Sequence, residues 1–140
     1  MTNVHPSAVI DSTVELGADV FVGPNCVIGS ETSIGSGTKI SAHVVIGKDV
    51  SVGKDNQLFP NCVIGTGPQI LGLNSDTEVG KIIIGDRNVI REQVTIHPSR
   101  KSDSKSTIGD DNLLMIGVHI GHGCAVEDKI VMSNFTPCMI

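Results

Sequence analysis

The stretch Ile28-Gly29-Ser30-Glu31-Thr32-Ser33, Ile34-Gly35-Ser36-Gly37-Thr38-Lys39, Ile40-Ser41-Ala42-His43-Val44-Val45, Ile46-Gly47 repeats one pattern every six residues. An aliphatic residue opens each unit, a glycine often follows it, and a small or β-branched residue stands four places on. The pattern extends outward through Val22, Leu16, Ile10 and Val4 on one side and Val52, Leu58 and Ile64 on the other. The phase is lost over residues 70 to 83, returns at Ile84, Ile90 and Ile96, skips one unit, and runs again through Ile108, Leu114, Ile120, Val126 and Met132.

A helix needs apolar residues at spacings of three and four, and a plain strand needs strict alternation. A period of six with two inward positions satisfies neither; it predicts an all-β fold, a parallel β-helix in which each hexad is a short strand and a turn. Three hexads close one triangular coil, and coils stacked at roughly 4.8 Å make a prism of about six coils. The second inward position reads Ala8, Val14, Val20, Cys26, Thr32, Thr38, Val44, Val50, Asn56, Cys62 and Pro68, then Asn88, Val94, Asn112, Val118, Cys124, Ile130 and Thr136. Burying one Ile or Val stabilises by roughly 1.5 to 3 kcal/mol. With no Trp, no Tyr and three Phe, the core depends on those ladders. Glycine after the aliphatic residue, as at Gly17, Gly35, Gly53, Gly85 and Gly121, signals either an unusual backbone conformation or a close approach that a Cβ would obstruct.

The 140 residues show no linker or composition shift, so residues 1–140 are expected to form a single hexapeptide-repeat domain. A net charge of −5 without a long basic run argues against nucleic acid as a partner. The opening Met1-Thr2-Asn3-Val4-His5 is not a basic segment leading into an apolar run, and no apolar stretch approaches a membrane span. A soluble cytoplasmic protein without an integral membrane segment is the expectation. Cys26, Cys62 and Cys124 fall on inward positions and read as small core residues. Cys138 falls in a tail, residues 134–140, that fits the hexad poorly and is expected to be irregular.

Two interruptions, residues 70–83 and 97–107, are polar or glycine-containing and are expected to leave the prism as surface loops. Arg100, Lys101 and Lys105 give the second a positive balance suited to an acidic partner or a phosphate, or simply to solvent. Of the five histidines, His119 and His122 both fall on outward positions near one turn. An outward imidazole needs no buried partner, keeps a pKa of roughly 6.5, and can act as a general base toward an alcohol. His97 borders the second loop, whereas His5 and His43 have no ionisable sequence neighbours.

The runs Ile84-Gly85-Asp86-Arg87-Asn88-Val89-Ile90-Arg91-Glu92-Gln93-Val94-Thr95-Ile96-His97 and Ile108-Gly109-Asp110-Asp111-Asn112-Leu113-Leu114-Met115-Ile116-Gly117-Val118-His119-Ile120-Gly121-His122-Gly123-Cys124 resemble the bacterial UDP-N-acetylglucosamine O-acyltransferases of lipid A biosynthesis. So do Ser41 to Ile46 and Asp55-Asn56-Gln57. The resemblance, to the amino-terminal part of that family's β-helix, implies a left-handed parallel β-helix and a homotrimer with active sites between prisms. It implies transfer of a β-hydroxyacyl group from acyl carrier protein to UDP-N-acetylglucosamine, with no metal or organic cofactor. By the same resemblance His122 matches the catalytic base, His119 a substrate-contacting histidine, and Gln69 a position near the nucleotide sugar.

The chain departs from that family in four places. Gly123 stands where the family has an Asp that orients the base, and Ile70 and Gly72 replace a carboxylate and an ammonium of its Gln-Asp-Leu-Lys pattern. Asp76 and Lys81 are the candidates to replace them. The family continues into further coils and a helical carboxyl-terminal domain, whereas this chain stops at Ile140 after its irregular tail. These departures predict an incomplete site and keep a second reading open, a non-catalytic trimeric β-helix that binds a nucleotide sugar. A third is a zinc enzyme like the γ-type carbonic anhydrases, with His97, His119 and His122 as ligands.

Overall fold

The computed structural model describes residues 1–140. Its strands are mostly two residues long and form three parallel sheets that make the sides of a triangular, left-handed β-helix. The first sheet runs from Asn3–Val4 through Phe21–Val22, Lys39–Ile40, Gln57–Leu58, Val89–Ile90 and Leu113–Leu114 to Val131–Met132. The second runs from Val9–Ile10 through Val27–Ile28, Val45–Ile46, Val63–Ile64, Thr95–Ile96 and His119–Ile120 to Pro137–Cys138. The third holds Glu15–Leu16, Ser33–Ile34, Val50–Val52, Lys81–Ile84, Lys105–Ile108 and Ala125–Val126.

Register follows the hexad. Ile10 faces Ile28, Ile28 faces Ile46, Ile46 faces Ile64, Ile64 faces Ile96 and Ile96 faces Ile120, one ladder among three. Those side chains from Ile28 onward are essentially sealed from solvent. Equivalent positions are 18 residues apart in the early coils, 32 apart across the first loop and 24 across the second. Because the residues each loop adds are carried at the surface and the chain rejoins the third sheet in phase, neither loop disturbs the ladder.

The second inward position stitches coils together with polar groups. Asn56 Oδ1 accepts the Asn88 N–H at 2.8 Å, Asn88 Oδ1 accepts the Asn112 N–H at 2.9 Å, and the amides of Asn56 and Asn88 donate to the carbonyls of Gly85 and Gly109. Asn112 Oδ1 accepts from Ile130, but its Nδ2 has no partner. A buried amide is tolerated here because nearly every donor and acceptor is matched, an unmatched one costing about 1–3 kcal/mol.

Glycine follows the aliphatic residue because the coils approach closely there. A Cβ on Gly35 would sit 2.4 Å from the Gly53 carbonyl oxygen, and one on Gly53 would sit 2.5 Å from that of Gly85, so coil backbones meet where these glycines stand. From the second coil onward positive φ falls two residues later in most corners, largely on other residue types: Asp19, Asn25, Glu31, His43, Asp49, Asp55, Asn61, Arg87, Gln93, Asp111, Lys129 and Phe135, all between 54° and 65°. Asp and Asn tolerate that conformation best, and the corner N–H is held by the preceding coil, as in Asp49 N–H to Ser30 O at 3.0 Å.

Three expectations need correction. Both loops are shorter than the hexad break suggested, because strands Lys81–Ile84 and Lys105–Ile108 already lie in the third sheet, with Ile82 and Ser106 buried. The tail is not irregular: Pro137–Cys138 pairs with His119–Ile120 and places Cys138 opposite Ile120. Proline disguised the repeat, but pairing with the preceding coil draws on carbonyls of the tail, His119 N–H to Thr136 O at 3.1 Å and Gly121 N–H to Cys138 O at 2.8 Å, and so does not need the N–H that proline lacks. Cys26, Cys62 and Cys124 are buried free thiols, as expected, and burial pushes Cys62 up to about 12, which keeps it protonated and inert. No helix is long and apolar enough to cross a membrane.

Candidate active site at one corner

Both loops and His122 leave the prism at the same corner, between the second and third sheets, in three successive coils. The first loop follows Ile64, the second follows Ile96, and His122 follows Ile120, whose side chains are stacked inside. Sequence spacing alone separated these elements by dozens of residues; the coil stacks them.

The layers are bonded to one another. The Gly80 N–H donates to Ser99 O at 2.8 Å, joining the loops. His97 Nδ1 lies 3.0 Å from the Gly67 carbonyl, which can only accept, so Nδ1 carries the proton of this bond and Nε2 is left as acceptor in the neutral ring. The Ser106 hydroxyl donates to His97 O at 2.7 Å and accepts the Gly123 N–H at 2.8 Å, fixing the turn that carries His122. Ser106 was not recognised in the sequence as an inward residue, because the loop hides the phase of its hexad.

His119 opens its strand on the outer face of the second sheet. Its Nδ1 is 2.9 Å from Thr95 Oγ1, and its ring stands 5.1 Å from that of His97 at an interplanar angle of 57°. The expectation of an unencumbered imidazole fails for His119. Burial, and secondarily the neighbouring His97, lower its pKa from the usual 6.5, so it is held neutral near pH 7. His97 itself is buried, 7% exposed, and belongs to this pair.

His122 lies in a pocket of about 460 Å³ lined by Ser99, Arg100, Lys101, Ser104, Gly123 and Ile140. His119 does not line that pocket, and Gln69 is exposed on the first loop, also outside it. Neither proposed replacement for the missing charges reaches it. Asp76 is exposed at the first loop's tip beside Asn74, and Lys81 lines separate recesses, one with Asp103 and Lys105. Gly123 has φ +72°, the same conformation that Asp holds in other corners. Within one chain no three His, Cys, Asp or Glu side chains converge as a metal site.

A bacterial transferase hexapeptide model (six repeats) matches residues 13–48. The acyl-[acyl-carrier-protein]–UDP-N-acetylglucosamine O-acyltransferase of Aliivibrio fischeri strain MJ11 is 58% identical over 132 residues, 94% of this chain and 50% of that protein. The enzyme of the same name from Chlorobaculum parvum is 49% identical over 124 residues, 89% of this chain and 46% of that protein. The chain is a homologue of these acyltransferases over nearly its whole length. Among solved structures, LpxA from Acinetobacter baumannii superposes with a TM-score of 0.89 at 35% identity, covering 96% of this chain and 52% of that one. The chain thus spans about half the length of the acyltransferases it matches.

Proposed function

We propose that residues 1–140 act as a single β-helix domain, the amino-terminal part of an acyltransferase that moves a β-hydroxyacyl group from acyl carrier protein to UDP-N-acetylglucosamine in lipid A biosynthesis. The observation that carries this reading is His122, set in a pocket at the one corner where both loops and the His97–His119 pair are stacked. The names of the homologues supply the substrates.

In this reading His122 removes the proton from the glucosamine hydroxyl as its oxygen attacks the thioester carbonyl. The C–O bond forms, the C–S bond breaks, and the imidazolium returns the proton to the departing thiolate. The step balances on the two substrates and His122. His119, held neutral, hydrogen-bonds the sugar, and Gln69 approaches it from the first loop.

The chain acts as a homotrimer in the cytoplasm. An uncharged stripe, Val9, Val27, Val45, Val63, Thr95, His119 and Pro137, runs up the outer face of the second sheet, with Val9 65% and Val27 42% exposed in the single chain. Neighbouring prisms packed along it would bury the valines and place His119 at the cleft between them.

The test is acyl transfer from β-hydroxyacyl carrier protein to UDP-N-acetylglucosamine, with His122→Ala as control. Transfer lost in the variant is the expected result. No transfer by either protein, with UDP-N-acetylglucosamine still bound, would favour the non-catalytic β-helix instead.

A further inference from the structure

The pocket holding His122 is basic in a chain whose formal net charge is −5. Arg100 and Lys101 line it, no acidic side chain does, and neither cation is engaged in an ion pair. The loop's one acid, Asp103, faces a neighbouring recess with Lys81 and Lys105. Two hydroxyls line it as well, beside Gly123 and Ile140. Ser99 is buried, 4% exposed, and its oxygen accepts the Lys101 N–H at 3.3 Å, which leaves its own hydrogen without a protein acceptor. The Ser104 hydroxyl is likewise unspent, since only that residue's backbone is hydrogen-bonded, its N–H to Lys101 O at 3.1 Å.

A guanidinium, an ammonium and two hydroxyls that donate to nothing in the protein, converging on one concave space, are the donor set that phosphate oxygens accept from. The loop that carries them is anchored at its base by Ser99 O to Gly80 and by Ser106 to Gly123, which ties the loop's base to the turn that carries His122. We propose that this pocket binds a substrate phosphate. Resting on the acyl-transfer reading, it deepens that reading because the second loop then holds a charged group of one substrate beside the base. The phosphate can come from the diphosphate of the nucleotide sugar or from the phosphodiester of the carrier's pantetheine arm, and the chemistry of recognition is common to both.

The experiment titrates the 140-residue chain with inorganic pyrophosphate, UDP-N-acetylglucosamine and 4′-phosphopantetheine, with uridine and pantetheine as phosphate-free counterparts. It follows the His122 imidazole and Gly123 amide resonances. Pyrophosphate is expected to shift both, with affinity falling as salt rises. Arg100→Gln and Lys101→Gln, exposed loop substitutions that leave the ladders intact, are each expected to weaken it roughly tenfold. Whichever of the two larger ligands weakens in parallel, while its phosphate-free counterpart is unchanged, is the source of the phosphate. Pyrophosphate that shifts neither resonance, or binds wild type and variants alike, overturns the proposal. Anion binding without acyl transfer would remove the activity but leave the site, whereas acyl transfer without anion binding would do the reverse.

Discussion

The corner between the second and third sheets and the corner between the third and first are built from the same hexad and do opposite things. At the latter, each turn is filled by its neighbours. Asp86, Asp110 and Asp128 accept backbone N–H groups from Lys54, Asp86 and Asp110 at 2.7 Å, and Arg87 bridges to Asp111, holding that carboxyl below its usual range. Polar groups there are used by the fold. At the former, the widened spacings carry chain outward, and the layers are tied by backbone bonds at their bases. The side chains of Arg100, Lys101 and Ser104 are left unspent beside His122. A closed corner transmits register; the opened one holds a pocket without disturbing it.

Deletions should separate the two behaviours most sharply. Removing Lys54, in the closed corner between Val50–Val52 of the third sheet and Gln57–Leu58 of the first, would slip the following residues by one and turn inward aliphatics outward. Loss of a cooperative melting transition is expected by circular dichroism. Removing Ser102, exposed within the second loop, should alter unfolding free energy by no more than about 0.5 kcal/mol. A Lys54 deletion that melts like the wild type would refute the ladder as the determinant of the fold.

Two glycine substitutions sharpen the comparison at smaller scale. Gly35→Val forces a Cβ against the Gly53 backbone and should cost about 3 kcal/mol or more in urea denaturation. Gly123→Asp should cost no more than about 1 kcal/mol, since Asp holds this backbone conformation elsewhere and the Cβ meets the far end of the Ile140 side chain at 3.1 Å and Ser99 Oγ at an ordinary 3.8 Å. The new carboxylate beside His122 should raise acyl-transfer kcat; an unchanged or lower kcat would argue against an orienting role for a carboxylate here.

Val27→Glu places a charge in the outer valine stripe. It should shift the proposed trimer toward monomer in analytical ultracentrifugation without disturbing the strand register of the monomer. Sedimentation identical to that of the wild type would argue against the valine stripe as the interface of the proposed trimer.

The smallest effect is in pH. The His119 pKa is lower in the folded chain than its ordinary 6.5, so the unfolded chain takes up the proton first as pH falls. The stability this burial protects is therefore present above about pH 6.5 and declines through that value toward the lowered folded one. His119→Gln should flatten that part of the stability profile, read from denaturation midpoints between about pH 7.5 and 5.5.

Much of the molecule was legible in one dimension. The hexad identified the ladders, put Cys26, Cys62 and Cys124 in the core, and turned His119 and His122 outward. It misread the ends of both loops because Ile82 and Ser106 resume the inward pattern before the next aliphatic anchor, and it took the tail for irregular, leaving Cys138 without a place, because Pro137 looks unlike a strand residue.

The sequence by itself determined the repeat, and with it the sheet register, since each inward side chain stabilises only when stacked on its counterpart one coil away. It also held the words shared with the acyltransferases. Only the tertiary structure decided what meets at the open corner: His97 against His119 and Gly67, Ser106 under Gly123, and Arg100 with Lys101 beside His122. The physical reason is that a six-residue period specifies direction, inward or outward, whereas proximity among outward residues depends on how many residues each loop adds before the coil returns.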